Sequence, residues 1–159
     1  MIQDQKCSKA NTLILKDEQA TQKLAWQLAA KLEGKETILL HGPLGAGKTA
    51  FTRALIRALC DDANMAVPSP TYTLIQPYET PGGLTIWHCD LYRIHEPEEL
   101  DELGLPDMLG TGLVLIEWPD RLGVYKPAAP LEVRLDPIDN HACQRQVTLT
   151  NAPEGVTPA

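Results

Sequence analysis

Gly42-Pro43-Leu44-Gly45-Ala46-Gly47-Lys48-Thr49 has the form G-x-x-x-x-G-K-[ST], the P-loop pattern that cradles nucleotide phosphates. Glycine tolerates the backbone conformations that let such a loop curl with its N–H groups turned inward at phosphate oxygens. Within the loop and one residue past it, Gly45, Ala46, Gly47, Lys48, Thr49 and Ala50 are the candidate phosphate-binding residues. The Lys48 ammonium can reach the β- and γ-phosphates, and the Thr49 hydroxyl can sit on Mg²⁺.

Binding phosphates is not hydrolysing them. Hydrolysis needs a carboxylate for Mg²⁺ and a group that positions the attacking water. A buried parallel strand delivers its C-terminal residue to the sheet edge where ligands bind, so a carboxylate that closes an apolar run is the place to look. Val114-Leu115-Ile116-Glu117 is the cleaner match and Ile86-Trp87-His88-Cys89-Asp90 the less regular one. Glu117 is assigned to the metal, against the plainer reading of an exposed strand-end acid. Asp90 either shares the water shell of the metal or orients the attacking water. Thr71 stands in the proline-stiffened stretch Ser69-Pro70-Thr71, where a threonine can sense a γ-phosphate as switch loops do, or can simply form a turn before a strand.

The elements that must position these residues are legible as patterns. Thr37-Ile38-Leu39-Leu40-His41 reads as a strand entering the loop. From Thr49 to Cys60, Phe51, Leu55 and Leu59 recur on one helical face. Upstream, Thr12–Leu15 is a strand candidate, and Asp17 can cap a helix running to about Leu32, with Gly34 as its stop. Downstream, residues 71–92 read as a β-hairpin turning at Thr80-Pro81-Gly82-Gly83, and Glu96–Leu103 and Leu105–Leu109 as short helices. Leu113–Ile116 reads as a buried strand, with late strands at Leu131–Leu135 and Gln146–Leu149. Asn151–Ala159 reads as a flexible tail after a domain ending near residue 150. The expected fold class is α/β, one P-loop domain with a mixed, mainly parallel sheet flanked by helices.

A chain of 159 residues with 43% apolar residues suits one domain with a substantial core. Its net charge of −7 makes it a poor general binder of nucleic-acid backbones, so any nucleic acid would be held mainly by a partner. Cys7, Cys60, Cys89 and Cys143 are far apart and form neither a C-x-x-C pair nor a disulfide framework. Met1–Thr12 lacks the apolar core of a signal peptide, and no apolar run approaches a membrane span. A cytoplasmic protein with no membrane association is expected.

Four segments in order, Gly42–Thr49, Ser69-Pro70-Thr71-Tyr72-Thr73-Leu74, His88-Cys89-Asp90-Leu91-Tyr92-Arg93 and Leu115-Ile116-Glu117-Trp118, give the chain a resemblance to the TsaE family over about residues 12 to 150. The resemblance implies a compact P-loop domain that hydrolyses ATP with Mg²⁺. It also implies a role in threonylcarbamoyladenosine (t6A) modification at position 37 of tRNAs that read codons starting with A. The partners implied are TsaD, which transfers the threonylcarbamoyl group, and its structural relative TsaB, with tRNA met indirectly through them. The resemblance places Glu18, at the start of the first helix, near the nucleotide, and makes Trp118 a wall of the site as an alternative to a core residue. By its own position on a strand, His88 reads as a packed or hydrogen-bonded histidine against a catalytic one, since His88-x-Asp90 has no third ligand of matching spacing for a metal; Arg93 is an ion-pair partner or a phosphate or partner contact. Arg53 and Arg57 read as a solvated helix face, with contact to a partner or tRNA as the alternative. Pro43 stands where many members have Asp, and Ala50 where many have Thr; Ala50 keeps its backbone N–H but loses a hydroxyl. A P-loop kinase for a small molecule and a nucleotide-gated binding module are the competing classes. The lack of an Asn-Lys-x-Asp motif weakens GTP, and the resemblance points to ATP.

Overall fold

Both faces of the central strands are apolar, and the chain buries both. The computed structural model describes residues 9–157. Its elements are β1 (Ala10–Leu15), α1 (Glu18–Ala29), β2 (Thr37–His41), α2 (Lys48–Leu59), β3 (Ile75–Glu79), β4 (Thr85–Asp90), α3 (Glu98–Glu102), α4 (Leu105–Met108), β5 (Leu113–Glu117), an irregular 3-10 segment (Pro119–Tyr125), β6 (Leu131–Ile138) and β7 (His141–Thr150). The strands form one seven-stranded sheet in the order β1-β7-β6-β2-β5-β4-β3. The parallel pairings join β6, β2, β5 and β4 at the centre. Antiparallel β7 and β1 extend one side, and β3 closes the other. This is an α/β fold with a mixed sheet and flanking helices, its parallel part confined to the middle.

Strand periodicity divides the core. Ile38, Leu40, Leu113 and Leu115 point to the face covered by α1 and α2, where they meet Leu24, Leu28, Phe51 and Leu55. Leu39, Val114 and Ile116 point to the opposite face, under Leu100, Leu105 and Leu122. Successive side chains alternate across a strand, so a strand buried on both faces is apolar throughout. In β6 only Leu131, Val133 and Leu135 are buried; Glu132, Arg134 and Asp136 face the other way.

Several boundaries differ from the sequence reading for local reasons. Residues 71–74 form a turn, not the first part of a strand. Leu74 N–H donates to Pro70 O at 2.7 Å, and Leu74 has φ 66°. β4 stops at Asp90, because Asp90 Oδ1 accepts the Tyr92 N–H at 3.0 Å and turns the chain. α1 is capped by Asp17 as expected, its side chain accepting from Ala20 N, but it ends at Ala29. The Glu36 carboxylate accepts the N–H groups of Glu33, Gly34 and Lys35 at 2.6–2.9 Å, holding a turn around Gly34, the expected stop. The expected flexible tail is packed through Thr157: Val156 is buried, Asn151 Nδ2 donates to Pro130 O, and Thr157 N–H donates to Gln27 Oε1. Cys7 lies outside the described residues.

Phe51, the single phenylalanine of the chain, is wholly buried one turn into α2, under the strands that carry the site. Truncating a buried phenylalanine removes apolar burial and leaves a cavity. Phe51→Ala is expected to lower stability by about 3–5 kcal/mol. In urea unfolding this appears as a lower midpoint with an unchanged slope.

Candidate functional site

β2 ends at His41, and the chain then loops through 42–47 into α2. Gly42 is required twice over. Its φ is 143°, and a Cβ there would lie 2.3 Å from Leu135 O. At Gly45 and Gly47 nothing crowds a Cβ; their requirement is the positive φ of 78° and 102°. Gly47 is the N-cap of α2 and offers no side-chain cap, so the first N–H groups of the helix are open to an anion. The loop's carbonyls are shared out: Gly42 O and Pro43 O meet Lys48, and a distant residue meets Ala46 O and Gly45 O. Arg145 of β7 donates through Nε to Ala46 O at 2.9 Å. Nothing local in the sequence marks Arg145 for this; only the strand pairing brings it to the loop.

Lys48 is 5% exposed. Its ammonium donates to Gly42 O at 2.7 Å and Pro43 O at 2.9 Å, and lies 4.0 Å from the centre of the Trp118 ring. Burial lowers its pKa from the usual lysine value, while Glu117 and Asp90 pull the other way. Trp118 adopts φ 59° just past β5, and its ring is tilted against Tyr92 at 5.0 Å. Trp118 is therefore a wall beside the loop lysine, partly buried, and not simply core.

The carboxylates arrive by register. Asp90 of β4 pairs with Glu117 of β5, and Glu117 pairs with Leu40 of β2, one residue before the strand ends. Three parallel strands thus finish at one edge, over the N-terminus of α2. Glu117 is buried, and the Thr49 hydroxyl lies 3.2 and 3.1 Å from its two oxygens. His88 Nε2 lies 2.8 Å from Glu117 Oε1. Asp90 is also buried; its Oδ2 accepts from the Ser69 and Thr71 hydroxyls, both at 3.2 Å, and those hydroxyls are 2.8 Å apart.

Lys48, Thr49, Ala50, Thr71, Asp90, Glu117 and Trp118 line one cleft of about 320 Å³, together with Leu44, Gly45, Gly47, Ser69 and Tyr92. Ala46 and Glu18 do not line it. Glu18 borders a second hollow on the far side of the loop, shared with Ala46, Gly47, Ala50 and Arg145. Sequence reasoning did not name Ser69 as a site residue, although it opens the segment Ser69-Pro70-Thr71 that carries part of the family resemblance. It also read Arg53 and Arg57 as solvated. Both are half-buried and donate to the loop ahead of Ser69, Arg53 Nε to Val67 O at 3.1 Å and Arg57 Nε to Met65 O at 2.9 Å.

The donor set suits Mg²⁺. Among the described residues no cluster of His, Cys, Asp and Glu forms an all-protein metal cage. Mg²⁺ does not use one; it takes one or two carboxylates, substrate phosphates and water. The hard oxygens of Thr49 and Glu117, side by side at the mouth of a phosphate cradle, match that habit.

The fold and this edge define a P-loop α/β protein. Residues 15–147 match the family model described as threonylcarbamoyl adenosine biosynthesis protein TsaE. A protein of Rickettsia bellii named tRNA threonylcarbamoyladenosine biosynthesis protein TsaE is 42% identical over 87% of this chain and 93% of its own length. One of the same name from Haemophilus influenzae is 35% identical over 84% of each chain. The crystal structure of Bacillus subtilus YdiB superposes with a TM-score of 0.72, at 26% identity, over 92% of this chain and 88% of that one. The chain belongs to the TsaE family.

If Arg145 holds the loop carbonyls, Arg145→Ala will speed amide hydrogen exchange at residues 44–47 by about tenfold or more, the loss of one charge-assisted hydrogen bond. Exchange at Ile38–Leu40 in β2 stays as it was.

Proposed function

We propose that the chain is a Mg²⁺-dependent ATPase that serves t6A modification of tRNA, acting with TsaB and TsaD. The family and the names of its relatives support the pathway. The ATPase reading rests on one observation above the rest: a P-loop lysine and threonine, two buried carboxylates and a hydroxyl-bearing loop converge on one cleft at the carboxyl ends of parallel strands.

In this reading the open N–H groups of the loop and of Ala50 hold the phosphates. Lys48 exchanges its two carbonyl partners for β- and γ-phosphate oxygens, which match its charge better. Thr49 and Glu117 would hold Mg²⁺, which would supply positive charge against the negative charge that grows on the phosphate during transfer. Asp90 positions the attacking water, and Thr71 and Ser69, already tied to Asp90, bring the loop to the γ-phosphate. Water adds to the γ-phosphorus, the bond to the ADP oxygen breaks, and the products are ADP and phosphate. Trp118 covers the lysine and keeps water from its ammonium. The acidic charge of the chain suits a division of labour in which TsaD and TsaB hold the tRNA.

The test is phosphate release from ATP by the chain alone and with TsaB, TsaD and tRNA. Release that rises with the partners is expected; transfer of the γ-phosphate to a small-molecule acceptor would overturn the reading. Lys48→Ala should weaken ATP binding about 10–100-fold, the worth of ~1.5–3 kcal/mol of charged hydrogen bonding. Asp90→Asn should leave ADP affinity alone and slow hydrolysis about 100-fold or more, as loss of a positioned base does. Unchanged turnover in Asp90→Asn would remove Asp90 from the chemistry.

A further inference from the structure

His88 is a polar side chain with no access to solvent. It is wholly buried on β4, paired in register with Leu115 of β5 and Gln76 of β3. Ile86, two residues before it on the same face, belongs to the apolar core under α2. Among the described residues His88 Nδ1 meets no hydrogen-bond partner. A buried ring nitrogen left unmet is a penalty that apolar packing would avoid, and local rules of this kind are broken mainly where function compensates. The compensating feature is the other nitrogen, 2.8 Å from Glu117 Oε1. A carboxylate only accepts, so Nε2 carries the hydrogen and donates.

Glu117 ends a strand, and its side chain can rotate about its terminal bond. The Thr49 hydroxyl lies about equally far from both its oxygens, at 3.2 and 3.1 Å, and so does not choose between them. His88 does choose, by holding Oε1. We propose that His88 is a positioning residue for Mg²⁺: it fixes the Glu117 carboxylate in the orientation that meets the cation, without touching cation or nucleotide itself. The inference rests on the Mg²⁺ reading of Glu117 and Thr49 above. Partners that orient a metal-binding carboxylate in this way commonly govern metal affinity by 10–100-fold.

Glutamine and asparagine separate this role from filling space. The glutamine amide reaches the place of Nε2, whereas the asparagine amide reaches only the place of Nδ1. ADP affinity is measured by calorimetry on the whole chain, in EDTA and across a Mg²⁺ series. His88→Asn should keep its affinity in EDTA within about twofold, yet need about 10–100-fold more Mg²⁺ for half of the metal-dependent gain. His88→Gln should return close to the wild-type Mg²⁺ requirement. If the asparagine chain does not fold, His88→Phe, which keeps ring volume and lacks a donor, is expected to show the same shift.

Equal behaviour of the asparagine and glutamine variants overturns the inference. So does a loss that is as large in EDTA as in Mg²⁺, which would mean a merely structural role. Wild-type affinity that ignores Mg²⁺ would instead overturn the metal reading itself, and the inference with it. A wild-type response to Mg²⁺ that His88→Asn leaves intact defeats the inference alone.

Discussion

A carboxylate with almost no access to water anchors the structure. Glu117 is 2% exposed, and an ionised group in that position is tolerable only if its lone pairs are met. They are met from two directions: Thr49 on the first turn of α2 and His88 on β4. One side chain on β5 therefore joins a helix and a neighbouring strand, and those are the elements that carry the rest of the cleft. Removing either partner would leave a buried charge short of donors, so the positions of α2, β4 and β5 at this edge are set together. The same neighbourhood holds the Lys48 ammonium, whose pKa burial lowers despite the opposing pull of Glu117 and Asp90.

Around that anchor the loop after α2 is held from both ends. Arg53 and Arg57 reach off the helix to the carbonyls of Val67 and Met65, and Ser69 and Thr71 reach to Asp90. The proline-rich segment has few backbone hydrogen bonds of its own to give, because proline lacks an N–H. Side chains supply the restraint instead. The restraint on its far end is a pair of hydroxyl-to-carboxylate contacts at 3.2 Å, open on the cleft side, while the near end is tied to half-buried guanidinium groups. A loop so built has a fixed root and a tip whose partners face the ligand cleft.

Much of this was legible in the chain. The P-loop, the apolar run into Glu117 and the strand into Asp90 each declare themselves by local spacing, and β2, α2 and β5 fall within a residue or so of where periodicity puts them. The failures were also local in cause. Turn chemistry overrode strand propensity at residues 71–74 and at Asp90. α1 stopped at Ala29, about three residues short of Leu32, while the turn at its expected stop, Gly34, is held by the Glu36 carboxylate. Arg53 and Arg57 looked solvated because a polar helix face looks the same whether it meets water or a loop carbonyl.

The sequence by itself determined which groups are on offer: a glycine-rich loop of the P-loop pattern, a lysine and a hydroxyl at its end, and acids at strand ends, because those depend on residue type and short spacing. Tertiary structure alone decided who holds whom. Register set Asp90 against Glu117 and placed His88 on the Glu117 carboxylate, with its other nitrogen unmet among the described residues. The pairing of β7 with β6 carried Arg145 to the back of a loop about a hundred positions away in the chain. Contacts of that kind arise from strand order and pairing, which burial of both sheet faces selects globally, and no window of local sequence contains them.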